Sequence, residues 1–155
     1  MEFENMHWIM SILQNMNTGL VVVDKDYKVH MWNSFMENHS GLGAEDVNER
    51  NLFEAIPDLE SKWLMQKIDT VFLLSCAGYT IWEERPYVFK FDTARPITGR
   101  IENMYQNSTL MPLHGLDTKV SHVAILISDV TAIAVNKQGL VRANEKLAKL
   151  NKVAG

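Results

Sequence analysis

The segment from residue 18 to residue 33 constrains the fold of this chain more than any other. Leu20 to Val23 is a short, largely β-branched run, residues 25–27 form a tight polar connection, and Val29 to Trp32 alternates as a second strand. The side chain of Asn33 can accept hydrogen bonds from backbone N–H groups two or three residues further on, so it can cap a following helix. The sequence therefore predicts a β-hairpin that leads directly into a helix.

Length and composition fit one globular domain. The chain has 155 residues, 46% of them hydrophobic, which is enough to bury most of the apolar surface without cross-links. The formal net charge is −4, and no cluster of Lys or Arg offers a surface that would release counterions from a nucleic acid. We therefore expect no nucleic-acid partner.

Cysteine usage and hydropathy bear on the compartment. Cys76 is the only cysteine, so no intrachain disulfide can form, and we expect this residue in the core. No run approaches the roughly eighteen apolar residues that a membrane-spanning helix needs. We expect a cytoplasmic chain without direct membrane contact.

The pattern of apolar residues predicts one helix before the hairpin and four after it. Met, Ile and Leu at three- and four-residue spacing over residues 5–16 indicate an amphipathic helix that packs on the domain or on a second copy. Short helical stretches are predicted over residues 34–40, 44–48 and 51–56. A longer helix is predicted from Asp58 or Ser61 through Cys76, with Gly78 at its end.

The second half of the sequence predicts three further strands. Pro86 and Pro96 cannot donate to a ladder, and Val88 to Phe91 is the only convincing strand between them, with an irregular or edge hairpin around it. Residues 101–113 and 120–128 indicate a long antiparallel pair joined by a turn. We therefore expect a five-stranded sheet with one face under the helices.

The last segment, residues 131–152, predicts a helix that projects beyond the domain. Two sets of residues recur every seven positions in the a/d pattern of a short parallel coiled coil, namely Ile133, Leu140 and Leu147 at a and Asn136, Ala143 and Leu150 at d. Asn136 either specifies the pairing or faces solvent. The pattern predicts a homodimer, and a helix folded back on the sheet of its own chain is the alternative.

Short motifs at both ends of the predicted sheet resemble the PAS family. They are Asp24 after the first strand, Trp32-Asn33 after the second, and Asp129-Val130-Thr131 after the last. The resemblance implies an α+β, PAS-like fold: a five-stranded antiparallel sheet with short helices and one long helix on one face, flanked by N- and C-terminal helices. It divides the chain into an N-terminal amphipathic helix (residues 1–17), a PAS sensory domain (18–129) and a C-terminal signalling helix (130–155).

The same motifs look like those of bacterial sensory-box modules that precede GGDEF diguanylate cyclase domains, and residues 144–150 resemble the linker of such proteins. The resemblance implies a sensory domain that binds a small-molecule signal, mediates dimerisation, or does both, and so regulates an output domain in cis. A ligand-free dimerisation module of a histidine kinase or other regulator is the alternative. No cyclase residues are present, and we do not expect the chain itself to be an enzyme.

Cofactors known in the PAS family can be tested against this sequence. Haem-binding members usually carry an axial His on the long helix, and residues 62–77 contain none. Flavin photoreceptors of the family carry a reactive Cys near the third short helix, where residues 49–53 have none. The histidines are scattered without the spacing of a metal site. The cofactor, if there is one, stays unknown, and no metal is expected.

A ligand pocket between the sheet and the helices is the remaining candidate site. Alternation on residues 101–113 places Met104, Gln106, Ser108 and Leu110 on one face of the strand and Tyr105 with its odd-numbered neighbours on the other, and one of these sets looks inward. Gln106 and Ser108 either orient a ligand or bond to the covering helix or water. Trp32 and Tyr105 either stack on a ring or simply fill the core.

A small α+β enzyme is the rival from another class. It would require Glu83, Glu84, His114 and Asp117 to meet in space.

Overall fold

The computed structural model describes residues 2–92 and 103–154. Its five antiparallel strands lie in the order β2-β1-β5-β4-β3, with bounds β1 Thr18–Val23, β2 Val29–Trp32, β3 Gly78–Thr80, β4 Gln106–His114 and β5 Val120–Asp129. The helices are α1 Glu2–Asn15, α2 Ser34–Ser40, α3 Ala44–Val47, α4 Leu52–Ala55, α5 Ser61–Leu74 and α6 Thr131–Ala154. The α+β architecture with flanking helices is the one that the sequence predicts.

The β1–β2 hairpin forms as expected, with a bulge at His30. The carboxylate of Asp24 accepts hydrogen bonds from the backbone N–H groups of Asp26 and Lys28, at 2.9 and 3.1 Å, and these bonds close the connection between the strands. On its other edge β1 pairs with β5 from Thr18 to Val23. Both edges of β1 are therefore hydrogen-bonded.

The core lies between one face of the sheet and helices α2 to α5. Its largest fully buried side chains come from both layers and from the segment that precedes β4: Met36, Leu52, Leu64, Ile68, Phe89, Met104, Gln106, Leu110, Ile125 and Ile127. The opposite face of β1 and β5 carries a smaller apolar cluster, Leu20, Val22 and Ala124, against which Leu13 of α1 packs.

The third strand differs from the prediction. The structure has Gly78–Thr80 as β3, paired with residues 108–110 of β4, whereas Val88 to Phe91 is not a strand. The backbone N–H groups of Val88 and Phe89 donate to the side chain of Gln106, at 3.0 and 3.1 Å, instead of to a neighbouring strand. The side chain of Gln106 thus takes the place that a neighbouring strand would have. The alternation of apolar residues in the sequence is the same in both cases, so it does not distinguish them.

Two predicted boundaries also move. The long helix ends at Leu74, because Ser75 adopts a left-handed conformation with φ of 52°. Cys76 therefore lies beyond the helix and is exposed, so its expected place in the core is wrong. The strand predicted over residues 101–113 begins at Gln106 and runs to His114; residues 101 and 102, like Pro96, lie outside the described part of the chain.

Helix α6 leaves the domain after its first two turns. Ala134 is buried and Gln138 is half-buried, but residues 139–153 are exposed. The helix therefore does not fold back on the sheet of its own chain. In the described residues, no helix combines the length and apolar character needed to cross a membrane.

Candidate functional site

The junction between β5 and α6 is held by the Asp129-Val130-Thr131 motif. The carboxylate of Asp129 accepts hydrogen bonds from the N–H and the hydroxyl of Thr131, at 3.0 and 2.6 Å. The Thr131 hydroxyl in turn accepts from the backbone N–H of Tyr105 at 3.1 Å, and Val130 donates to the Tyr105 carbonyl at 2.9 Å. The motif therefore fixes the first turn of α6 to the residue that precedes β4.

Asn33 joins three elements, α1, β1 and α2, near the start of β1. Its side-chain oxygen accepts from the N–H groups of Leu20 in β1 and Met36 in α2, at 3.1 and 3.3 Å, and the latter bond caps α2 as the sequence predicts. Its side-chain nitrogen donates to the carbonyls of Leu13 and Thr18, at 3.1 and 2.7 Å. The amide is buried, and both its oxygen and its nitrogen are hydrogen-bonded.

Asp24 pairs with a histidine of the hairpin. Its carboxylate lies 2.7 Å from Nε2 of His30, whose ring meets that of His122 edge-on at a centroid distance of 4.8 Å. Burial raises the pKa of Asp24, but the hydrogen bonds with His30 and with the N–H groups of Lys28 and Asp26 outweigh burial, so its pKa lies below the ordinary value. The aspartate thus holds the turn in its ionised form.

Residues 81–92, which we call the strap, run between β3 and β4 over the start of β4. The side chain of Gln106 is hydrogen-bonded to the backbone of the strap. Its oxygen accepts from the N–H groups of Val88 and Phe89, and its nitrogen donates to the carbonyl of Phe89 at 2.7 Å. The backbone adds two bonds, from Gln106 to the carbonyl of Pro86 and from Met104 to that of Phe91, at 2.8 and 2.7 Å.

The structure brings three of the five predicted ligand residues together, around a side chain of the strap. Gln106 bonds to Phe89, its nitrogen lies 3.6 Å from the sulfur of Met104, and the ring of Trp32 meets Phe89 edge-on at 6.4 Å. Phe89 is 0% exposed. The chain's own Phe89 therefore stands where the sequence predicts a ligand, and the sequence interpretation missed it because it assigned residues 88–91 to a strand.

The other two predicted ligand residues are placed differently. Ser108 faces inward, and its buried hydroxyl has no hydrogen-bond partner among the described residues. Tyr105 lies outside this cluster, beside α6: its ring meets Trp82 edge-on at 5.5 Å, and its hydroxyl accepts from Gln138 at 3.2 Å. Tyr105 thus belongs to the α6 junction.

Two clefts open beside the strap. One, of about 420 Å³, lies between the strap and the start of α5; Arg85 stacks over the ring of Trp63 there at 4.0 Å and pairs with Glu60. The other, of about 270 Å³, lies next to it, between Phe89 and Phe91 of the strap and residues 55–59; Lys90 lines both clefts. A ligand in either cleft would touch the strap directly.

Comparison with known proteins identifies the fold family. Residues 9–72 match the family model of the PAS fold. The chain has a PAS-like fold. The structure of a sensory box sensor histidine kinase from Vibrio cholerae is similar to it, with 25% identity and a TM-score of 0.58 over 84% of this chain and 94% of that chain. The search of curated proteins gave no match.

Two further structures show the same fold. The PAS domain of histidine kinase ThkA has 23% identity and a TM-score of 0.53, covering 72% of this chain and 98% of its own. An RNA-binding light-oxygen-voltage receptor has 18% identity and a TM-score of 0.58, covering 94% of this chain but 37% of its own. Two of these three similar structures come from histidine kinases.

The fold does not bring together the residues proposed for an enzyme. Trp82 donates to the side chain of Asn107 near the start of β4, which places Glu83 there, whereas His114 ends the same strand. Seven residues of strand separate these ends by roughly 24 Å. In residues 2–92 and 103–154, no group of three His, Cys, Asp or Glu side chains is placed to hold a metal ion.

The predicted coiled-coil residues of α6 line one exposed stripe. Ile133, Leu140, Leu147 and Leu150 are 62%, 66%, 57% and 65% exposed, and Asn136 and Ala143 are also exposed. Spacing at three and four residues places all six along one side of a helix.

Proposed function

We propose that this chain is a regulatory PAS domain that acts as a homodimer through α6 and controls an output domain joined to the C-terminal side of that helix. The observation that carries the proposal is the exposed apolar stripe of α6, which has the heptad spacing of a parallel coiled coil and lies apart from its own domain. A helix of this kind buries its stripe best against an identical helix.

The attachment of α6 supports a signalling role. Thr131 and Gln138 of the helix are hydrogen-bonded to Tyr105, the residue that precedes β4. From Gly139 to Val153 the helix is exposed. A change in the position of its first turn is therefore passed along the helix to whatever follows. A bias of a few kcal/mol is enough to shift a two-state linker.

The output domain is part of the proposal. The sequence resemblance favours a GGDEF diguanylate cyclase, and similar structures include histidine kinases. The role proposed for α6 is the same in either case, because the helix would lie between the sensor and the output domain. A ligand-free dimerisation module is compatible with a core filled by Phe89.

The test is the oligomeric state of the chain by analytical ultracentrifugation. Replacing Leu140 and Leu147 by Asp places charges on the stripe, and we expect the dimer to dissociate. Val141→Asp with Ala148→Asp is the matched control, because it adds the same charges seven residues apart at exposed positions beside the stripe. A Leu140/Leu147 variant that dimerises as tightly as the parent would move the interface elsewhere, with the exposed apolar residues of α1 the next surface to test.

Small-molecule sensing is the second candidate function. It is favoured by the unpaired hydroxyl of Ser108 in the interior and by the cleft of about 420 Å³ beside the strap. Native mass spectrometry of the purified chain, compared with its denatured mass, tests this function. A mass retained per protomer supports it, and the variants Gln106→Leu and Ser108→Ala then report whether the interior holds the molecule.

A further inference from the structure

The strap touches both the interior of the domain and α6. At its C-terminal end, Phe89 is fully buried against Trp32 and stacks on Phe91 at 5.6 Å. Gln106 holds both the N–H and the carbonyl of Phe89, so the ring is fixed by its backbone as well as by packing. If Phe89 left the core, the side-chain amide of Gln106 would lose its three hydrogen bonds to Val88 and Phe89.

The N-terminal end of the strap contacts α6 instead. Glu83 accepts a hydrogen bond from Lys137 of α6 at 2.8 Å, and the Lys137 ammonium lies 5.8 Å from the centre of the Trp82 ring. The same ring packs edge-on against Tyr105, whose hydroxyl accepts from Gln138. The strap therefore braces the second turn of α6.

The two ends are joined by a stiff stretch of chain. The carbonyl of Ile81 accepts hydrogen bonds from the N–H groups of Glu84 and Arg85, both at 3.1 Å, and Arg85 stacks on Trp63. Asn107 and Gln106, neighbours in β4, grip the strap at Trp82 and at Phe89. Movement of one end is thus transmitted to the other through the strap and through the start of β4.

We propose that Phe89 is an internal ligand: it occupies an aromatic-binding position inside the domain, and the strap stays bound to β4 and α6 as long as no other molecule displaces the Phe89 ring. A small uncharged aromatic molecule that binds at this position displaces Phe89. The strap then loses its hydrogen bonds to Gln106 of β4, and Glu83 of the strap loses its contact with Lys137 of α6. The inference rests on the proposed signalling role of α6 for its biological meaning. All of its contacts lie within one chain.

The first test removes the ring and replaces it from solution. Phe89→Ala leaves a cavity of aromatic size, and we expect hydrogen exchange of the α6 amides at residues 134–138 to rise by about fivefold relative to residues 145–150. Indole, the probe, should bind the variant and restore the parental exchange, as small aromatics fill apolar cavities. Ile68→Ala, a fully buried change outside the strap, is the control and should leave this ratio unchanged.

The second test runs in the opposite direction and uses an exposed site, so it does not depend on Phe89→Ala folding. Lys137→Ala removes the brace on Glu83, and because coupling is reciprocal, the amides of Val88 and Phe89 should exchange faster by a similar factor. Lys146→Ala, exposed and further along α6, is the matched control.

Three results would overturn the proposal: unchanged α6 exchange in Phe89→Ala, indole that fails to bind or binds without restoring exchange, or unchanged Val88 and Phe89 exchange in Lys137→Ala. The same measurements on the Leu140→Asp/Leu147→Asp variant separate this proposal from the proposed function. Coupling that persists in that monomer supports the strap whatever the role of dimerisation, and coupling lost there counts against it.

Discussion

Replacing Asn33 by Ala should destabilise the domain more than any other single cap. The side chain of Asn33 is buried and accepts hydrogen bonds from the N–H groups of Leu20 and Met36 while donating to the carbonyls of Leu13 and Thr18. Alanine removes all of these bonds together. The loss therefore affects α1, β1 and α2 at once, whereas an ordinary cap acts on one helix.

The magnitude follows from the individual bonds. Loss of the α2 cap costs about 1 kcal/mol. The N–H of Leu20 is left buried without a partner, which costs about 1–3 kcal/mol, and the two partly buried carbonyls add about 0.5–1 kcal/mol each. The free energy of unfolding should fall by about 4 kcal/mol, a large part of the roughly 5–15 kcal/mol of a typical domain.

Urea unfolding followed by circular dichroism measures this loss, with Asn51→Ala as the matched control. Asn51 also caps a helix, accepting from the N–H of Phe53 at 2.9 Å, but it is only half-buried, so its replacement should cost about 1 kcal/mol. Asn33→Asp retains the acceptor and loses the donors, and it should fall between the two. An Asn33→Ala variant within 1 kcal/mol of Asn51→Ala would refute the reasoning.

Two further perturbations have defined outcomes. Gly19→Ala should lower the free energy of unfolding by about 1–3 kcal/mol in thermal or urea unfolding, because its Cβ would lie 2.6 Å from the sulfur of Met36 and 3.2 Å from Cβ of Ile127; an unchanged midpoint would contradict this close packing. Burial and the hydrogen bond to Asp69 raise the pKa of Tyr27 from 10.0 to about 12, so the stability it contributes is complete below pH 10 and is lost as the pH rises toward 12. The part of the 295 nm titration that disappears in Tyr27→Phe should have its midpoint near that pKa, and a midpoint near 10 would contradict it.

The hairpin, the short helices and the exit motif could be predicted because each depends on local chemistry. Asp24 closes its turn through its own neighbours, Asn33 caps the helix that starts at the next residue, and Gly41 ends that helix with φ of 76°. These interactions span a few residues, so spacing in the sequence is enough to find them. Alternation along β4 is also local, so it separated the two faces of the strand, but it left open which of them looks inward.

The strap could not be predicted because its structure depends on a distant side chain. Val88 to Phe91 alternates like a strand, but its N–H groups donate to Gln106, which is 17 or 18 residues further along the chain. The sequence indicated that Gln106 was a polar group on an apolar face and left its partner open. A glutamine amide that bonds to a backbone replaces one edge of a strand, and nothing in the hydrophobic pattern distinguishes that arrangement from a ladder.

The position of Gly139 leads to a last prediction, which concerns the pairing proposed for α6. Gly139 follows Gln138, the last residue of α6 that contacts Tyr105, and precedes Leu140 of the stripe; a Cβ added there meets no atom within 4 Å. Glycine within a helix costs about 1 kcal/mol relative to alanine, and a homodimer carries the change twice, so Gly139→Ala should stabilise α6 and tighten the dimer by up to about 30-fold in sedimentation equilibrium. Gly139 lies between the turns of α6 that contact the domain and the exposed turns, so under the proposed function a small change in those contacts would alter pairing of the stripe. A variant that dimerises less tightly than the parent would show that Gly139 is needed for close helix packing, and the dependence of pairing on the domain would then have another cause.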